Sequence, residues 1–205
     1  MTTLNHLVFA AALALASSAA LAAATVGQPA PAFTAQDATG KTVSLADFKG
    51  KHVVLEWVNP GCPYVVKHYG SANMQGTQKE ATAKGVVWLS VNSTAAEHGD
   101  YKAPAAMAQW MQQQNAAPTA TLIDADGKVG RAYGARTTPH LYIVDPKGLL
   151  VYAGGIDNKP TANPADVATA TNHVKVALAE TLAGKPVSQA TTRPYGCSVK
   201  YTSGA

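Results

Sequence analysis

Apolar residues in this chain fall in short unbroken runs punctuated by turn residues. His52 to Val58 and Val86 to Val91 are nearly continuous, and their lack of alternation predicts strands covered on both faces. Upstream, Gly27-Gln28-Pro29-Ala30-Pro31 is a stiff, extended entry. Phe33 to Gln36 and Lys41 to Ser44 flank Asp37-Ala38-Thr39-Gly40 and predict a hairpin. Leu45 to Gly50 predicts a helical turn closed by glycine. A further strand is expected over Thr119 to Ile123, and Leu141 to Val144 and Leu149 to Tyr152 flank the turn Asp145-Pro146-Lys147-Gly148 as a second hairpin.

Helical spacing fills the intervals. One helix is expected from Pro63, suited to the first helical position because it lacks an N–H, to about Lys84, with Gly85 as its cap and Gly70 and Gly76 weakening it. Pro104 to Asn115 predicts another, and a short one closes through Gly130 to Ala135. A last helix is expected from Asn163 as N-cap to Gly184, with Val167, Ala170, Val174, Ala177, Leu178 and Leu182 along one face. Asn92 to Ala103 is a polar loop of the kind that shapes a cleft. Strands alternating with helices, then a hairpin and a helix, predict an α/β fold, a central mixed sheet with helices on both faces. Residues 185–205, rich in Pro, Gly, Ser and Thr, form a C-terminal tail.

Composition narrows the setting. Residues 1–24 hold no Asp, Glu, Lys or Arg, and Leu7 to Leu21 is an apolar, small-residue run ending near several small-residue cleavage patterns. The segment is expected to be a signal peptide, although no Lys or Arg precedes the run; it is short of the roughly 20 residues that span a bilayer. The mature chain is then a single domain over 25–184 followed by its tail, periplasmic or secreted, and not embedded in a membrane. The net charge of +4 is scattered, with no basic run interleaved with aromatics, so nucleic acid is not an expected partner.

The two cysteines carry the chemistry. Cys62 follows an apolar strand and the turn Asn59-Pro60-Gly61, with Pro63 and a helical segment behind it. That order puts its sulfur at a helix N-terminus, where free N–H groups stabilise a thiolate, the reactive form. The bracketing prolines and glycine predict an exposed thiol; an inert buried cysteine is the alternative. Cys197, in Tyr195-Gly196-Cys197-Ser198, could resolve an intermediate on Cys62 if the tail folds back along a bent, mobile segment. It could also remain unpaired or pair between chains. Glu56 interrupts the apolar strand, where an acid is costly to bury; the plain alternative is an edge-strand glutamate paired with Lys51 or Lys67. His68, six residues after Cys62, is expected to be solvated or packed rather than a base for that thiol.

These residues resemble the thioredoxin-like redoxins, which include the AhpC/TSA (peroxiredoxin-like) proteins and periplasmic thiol–disulfide oxidoreductases. The likeness rests on the entry Gly27 to Phe33, the strand end Leu55-Glu56-Trp57 with Cys62 five residues on, Thr138-Pro139 before a strand, and the hairpin from Leu141 to Gly148. It spans roughly residues 27–184 and implies Cys62 as catalytic nucleophile and Glu56 as a proton acceptor working through water beneath it. It also implies a cis Pro139, with Thr138, Trp57 and Pro63 beside the substrate. The chain departs from the family at Val65, which stands where Cys-x-x-Cys has its second sulfur, and at Asn59, where peroxiredoxins carry threonine. Arg136 and Arg131 are the only candidates for the peroxiredoxin helper arginine.

The resemblance therefore implies an exported thiol–disulfide oxidoreductase or thiol-dependent reductase without cofactor or metal. Its partners would be a disulfide-containing protein or a small thiol or peroxide, with an external thiol as reductant. Peroxide reduction is a second branch. A non-enzymatic copper or partner binder, using Cys62, Cys197 and His140 as soft ligands, and a redox-silent binding module using the cleft beside Pro139 are the alternatives outside catalysis.

Overall fold

The computed structural model describes residues 24–202; the expected signal peptide lies almost wholly outside them. A seven-stranded mixed sheet forms the centre. Its strands are β1 (Thr34–Asp37), β2 (Thr42–Ser44), β3 (Val53–Trp57), β4 (Val87–Asn92), β5 (Ala120–Ile123), β7 (His140–Val144) and β8 (Leu150–Gly154), in the order β2-β1-β5-β4-β3-β7-β8. β3, β4 and β5 run parallel, and the remaining pairings are antiparallel. Two short strands, β6 (Thr137–Thr138) and β9 (Cys197–Ser198), make a separate antiparallel ladder.

All five residues of β3 are buried, as the unbroken apolar run requires of a strand between β4 and β7. Its alternate side chains divide between two cores. Val54 and Val58 face one with Trp88, Leu141, Ile143 and Tyr152, covered by α1 (Pro63–Gly70), α2 (Asn73–Ala83), α3 (Pro104–Gln113) and α5 (His173–Leu182). Val53, Leu55 and Trp57 face the other with Leu89, Val91, Tyr142 and Val144, covered by α4 (Lys128–Tyr133) and the 3-10 turn Leu45–Phe48.

Two expected helices are each divided. The one from Pro63 stops at Gly70, and Ala72 adopts the left-handed conformation (φ 57°) before α2 starts. The division turns α2 so that Met74 and Ala81 join the core. At the other site, Asn163 and Pro164 start only a 3-10 turn, Pro164–Thr169, and the chain is extended again at Ala170. A second cap, Asn172, whose side chain accepts from the Lys175 N–H at 3.0 Å, starts α5.

The tail is docked over its described residues, up to residue 202. Ala153 of β8 donates to Ala190 and accepts from Thr192, so residues 190–192 run beside the outer edge of the last strand. Beyond β9, the Val199 N–H donates to Arg136, the Ala95 N–H to Lys200, and the Tyr201 hydroxyl to Ala135. Arg131 lies over the Tyr201 ring, 4.6 Å from its centroid.

Candidate active site

Three segments meet at the sulfur of Cys62. The first is its own turn: Cys62 is the N-cap of α1, with Pro63 following, and its N–H donates to the Asn59 carbonyl. The Asn59 side chain sets the bend, accepting from the Gly61 N–H at 2.8 Å and donating to Asp100. The second is the β6 end, where the Thr138–Pro139 peptide is cis and the Cys62 thiol donates to the Thr138 carbonyl at 3.0 Å. The third is the tail, where Cys197 pairs with Thr138 in the β6–β9 ladder and directs its N–H at the Cys62 sulfur, 3.4 Å away.

The two thiols have opposite electrostatics. Burial pushes Cys62 up, but its contacts with the Cys197 side chain, with Thr138 and with the backbone N–H groups of Val65 and Cys197 outweigh this and bring the thiol below its ordinary value. Burial pushes Cys197 up, and its hydrogen bond to Cys62 adds to this, placing it at about 12. Of the two, Cys62 is the sulfur that ionises more readily, and Cys197 keeps its proton at neutral pH.

The close approach of tail and β6 depends on Gly196. Its φ is 139°, and a Cβ there would fall 2.0 Å from the Thr138 carbonyl oxygen, a distance no side chain tolerates. This contact corrects two expectations. Cys62 is only 2 % exposed, because its own tail lies over the turn that was to present it. The Thr138 backbone, expected to align a substrate peptide, is already paired with Cys197. Thr138 and Pro139 are buried and Pro63 is exposed. Trp57 is also buried, its indole N–H donating to Ser93 and its ring between Tyr133 and Tyr142, so it belongs to the core rather than to a substrate surface.

Glu56 is fully buried on a central strand, not an edge, and neither Lys51 nor Lys67 pairs with it. Its Oε1 accepts from Tyr69, and its Oε2 from Gln78, Trp88 and Ser90. No direct hydrogen bond joins it to Cys62; it ties β3, β4, α1 and α2 together. Burial raises its pKa, and the donors, Trp88 foremost, offset this in part. Stability from the protonated form is therefore complete below the ordinary glutamate range and declines as pH rises through the folded value. Glu56→Gln is expected to flatten that decline. Urea unfolding between about pH 5 and 8 should show the variant gaining on the native chain as pH rises; parallel curves would contradict it.

A second buried cluster, not anticipated, joins α1 to the loop after β8 and to the tail. Lys67 on α1 donates to the Lys159 carbonyl at 2.7 Å and lies 3.7 Å from Asp157, with both side chains sealed from solvent. Asn73 donates to His68 Nδ1, which leaves the proton on Nε2 for Tyr195 Oη at 3.0 Å. The Tyr195 hydroxyl donates to Asp157. Burial holds His68 down at about 4, with Lys67 adding and Asp157 opposing, so the ring is neutral at pH 7. His68 is thus packed, as expected, but as a link between α1 and the residue two positions before Cys197. The available signal was spacing: His68 and Tyr69 follow the apolar Val65 by three and four residues and share its buried face.

His140 Nδ1 is engaged by the Arg136 N–H and the Tyr142 hydroxyl. Among the described residues no three His, Cys, Asp or Glu side chains converge to hold a metal, so the copper alternative lacks a third ligand. No helix among them is long and apolar enough to cross a membrane.

The sequence pattern of the AhpC/TSA family matches residues 26–153. The thiol-disulfide oxidoreductase ResA of Bacillus subtilis is 25 % identical over 132 residues, 61 % of this chain; the match spans 64 % of that protein's length. An uncharacterized conserved protein from Geobacillus kaustophilus superposes with a TM-score of 0.77 at 29 % identity, over 88 % of this chain and 94 % of its own. The thioredoxin domain of a thiol-disulfide oxidoreductase from Bacteroides vulgatus does so with a TM-score of 0.51 at 26 % identity, over 71 % and 96 %.

Proposed function

Because this chain belongs to the AhpC/TSA family of thioredoxin-like redoxins, we propose that it is a thiol–disulfide oxidoreductase whose redox pair is Cys62 and Cys197. The observation that carries this is the convergence of the Cys197 N–H and thiol on the Cys62 sulfur, across 135 residues of chain. In the reducing direction the Cys62 thiolate is the nucleophile. It displaces one thiolate from a disulfide and forms a mixed disulfide, and Cys197, losing its proton, displaces the second thiolate and closes the intrachain bond. The substrate gains two electrons and the pair loses them; an external thiol restores the dithiol. The leader-like residues 1–24 support action in an exported location, where such a bond persists.

Peroxide reduction would begin from the same thiolate and pass through a sulfenic acid that Cys197 closes with loss of water. Asn59 supports disulfide exchange instead, since it offers no hydroxyl and its amide is committed to Gly61 and Asp100. Non-reducing peptide mapping after mild oxidation is expected to find the Cys62–Cys197 bond within one chain. Cys62→Ser and Cys197→Ser should each reduce disulfide turnover to background, while peroxide consumption by the native protein stays low. Undiminished turnover in Cys62→Ser would overturn the proposal, and peroxide consumption outpacing disulfide turnover would move it to the second branch.

A further inference from the structure

We propose that a second binding site, at the end of the sheet away from the two sulfurs, takes a medium-chain fatty carboxylate of about the size of decanoate. The site is independent of the redox pair. β3 enters the sheet at Val53 and leaves it at Trp57, toward Cys62, and a groove of about 360 Å³ opens beside the Val53 end. Its floor is apolar for a local reason. Val53 and Val144 are partners across β3 and β7, and both are buried. Leu45 and Phe48, on one 3-10 turn, pack half-buried against the same core, as does Ala30.

The walls are tied together by backbone hydrogen bonds. The Ala30 N–H donates to the Gly148 carbonyl at 2.9 Å, and the Gly50 N–H to the Pro146 carbonyl at 3.3 Å. The groove is thus preformed, and a ligand entering it has little chain to order.

The rim is cationic. Lys49, Lys51 and Lys147 line the groove, and the Gly50–Pro146 bond brings their two segments together. Among the described residues, no carboxylate lies within ion-pair distance of any of the three. The acid on the wall, Asp145, accepts from the Lys147 and Leu149 N–H groups through Oδ1, each at 2.9 Å. Three ammonium groups against one carboxylate leave positive charge in excess beside an apolar floor. An acid head on an apolar chain satisfies both, where a purely apolar or a cationic ligand satisfies one or neither. At about 30 Å³ per heavy atom, a water molecule's share of the liquid, the volume holds about a dozen such atoms, which is the size of decanoate. Each methylene that leaves water for the floor tightens binding about two- to fourfold, according to how fully the open groove covers it. Exposed lysines add less, and their share falls with salt.

The test titrates the full chain with decanoate below its micellar concentration, by calorimetry at low salt, and locates the site from amide NMR shifts. One saturable site is expected, with the largest shifts among residues 45–53 and 144–148 and none at Cys62 or Cys197. Octanoate, two methylenes shorter, should bind about 4- to 16-fold more weakly. The triple variant Lys49→Gln, Lys51→Gln, Lys147→Gln should bind decanoate about tenfold more weakly while keeping its thermal midpoint, and decyltrimethylammonium should not bind. Absence of saturable binding, shifts centred elsewhere, unchanged affinity in the triple variant, or equal binding of the cation would each overturn the proposal. Sedimentation with anionic vesicles without binding of monomeric decanoate would overturn it in favour of a membrane surface.

Discussion

Asp157→Leu is expected to destabilise the protein by about 3–5 kcal/mol, the usual effect of removing one member of a buried ion pair. Lys67, wholly buried and 3.7 Å from that carboxylate, would be left with no counter-charge, and the Tyr195 hydroxyl would lose its acceptor. The charge, more than the lost contacts, sets the size of the effect. Lys67→Met combined with Asp157→Leu is accordingly expected to recover most of the loss, since replacing both charges by apolar groups is often close to neutral. Urea midpoints of the two variants decide the matter. A double variant no more stable than the single one would show that the uncompensated lysine is not the cause.

The second large effect is expected at Gly196. Gly196→Ala would drive a Cβ to within 2.0 Å of the Thr138 carbonyl oxygen and 2.7 Å of its carbon, both backbone atoms that cannot swing aside. The β9 strand must then lift from β6, carrying Cys197 off the sulfur it covers. Alkylation of Cys62 by iodoacetamide in the reduced protein should accelerate about tenfold for every 1.4 kcal/mol of docking lost. Closure of the intrachain bond should slow in step. If alkylation is unchanged in a folded Gly196→Ala protein, the tail does not control access to Cys62.

The framework around this site was legible in the sequence because local signals specify it. Continuous apolar runs marked β3 and β4, Asp145 to Gly148 marked the turn between β7 and β8, and Pro63 marked the start of α1. Where signals competed, the outcome depended on packing. Gly70 and Gly76 both weakened the helix after Cys62, and the division came beside the first, at Ala72, where it turns α2 onto the sheet. Asn163 and Asn172 can both cap a helix, and only the second leads into one that buries Val174, Ala177 and Leu178. The site itself was legible as a list of residues but not as an arrangement. Cys62 beside Pro139 follows from the fold, whereas its burial depends on a tail whose contacts are mostly backbone hydrogen bonds, which leave no mark in composition. The cluster of Lys67, His68, Asp157 and Tyr195 was hidden for a related reason: its members are separated by as many as 128 residues and read singly as surface polar groups.

The course of residues 190–192 beside β8 has a consequence beyond the sulfur pair. β8 is the terminal strand of the sheet, and the hydrogen bonds of Ala153 to Ala190 and Thr192 occupy an edge that would otherwise invite another strand. The segment that delivers Cys197 is therefore also the guard against edge-to-edge association.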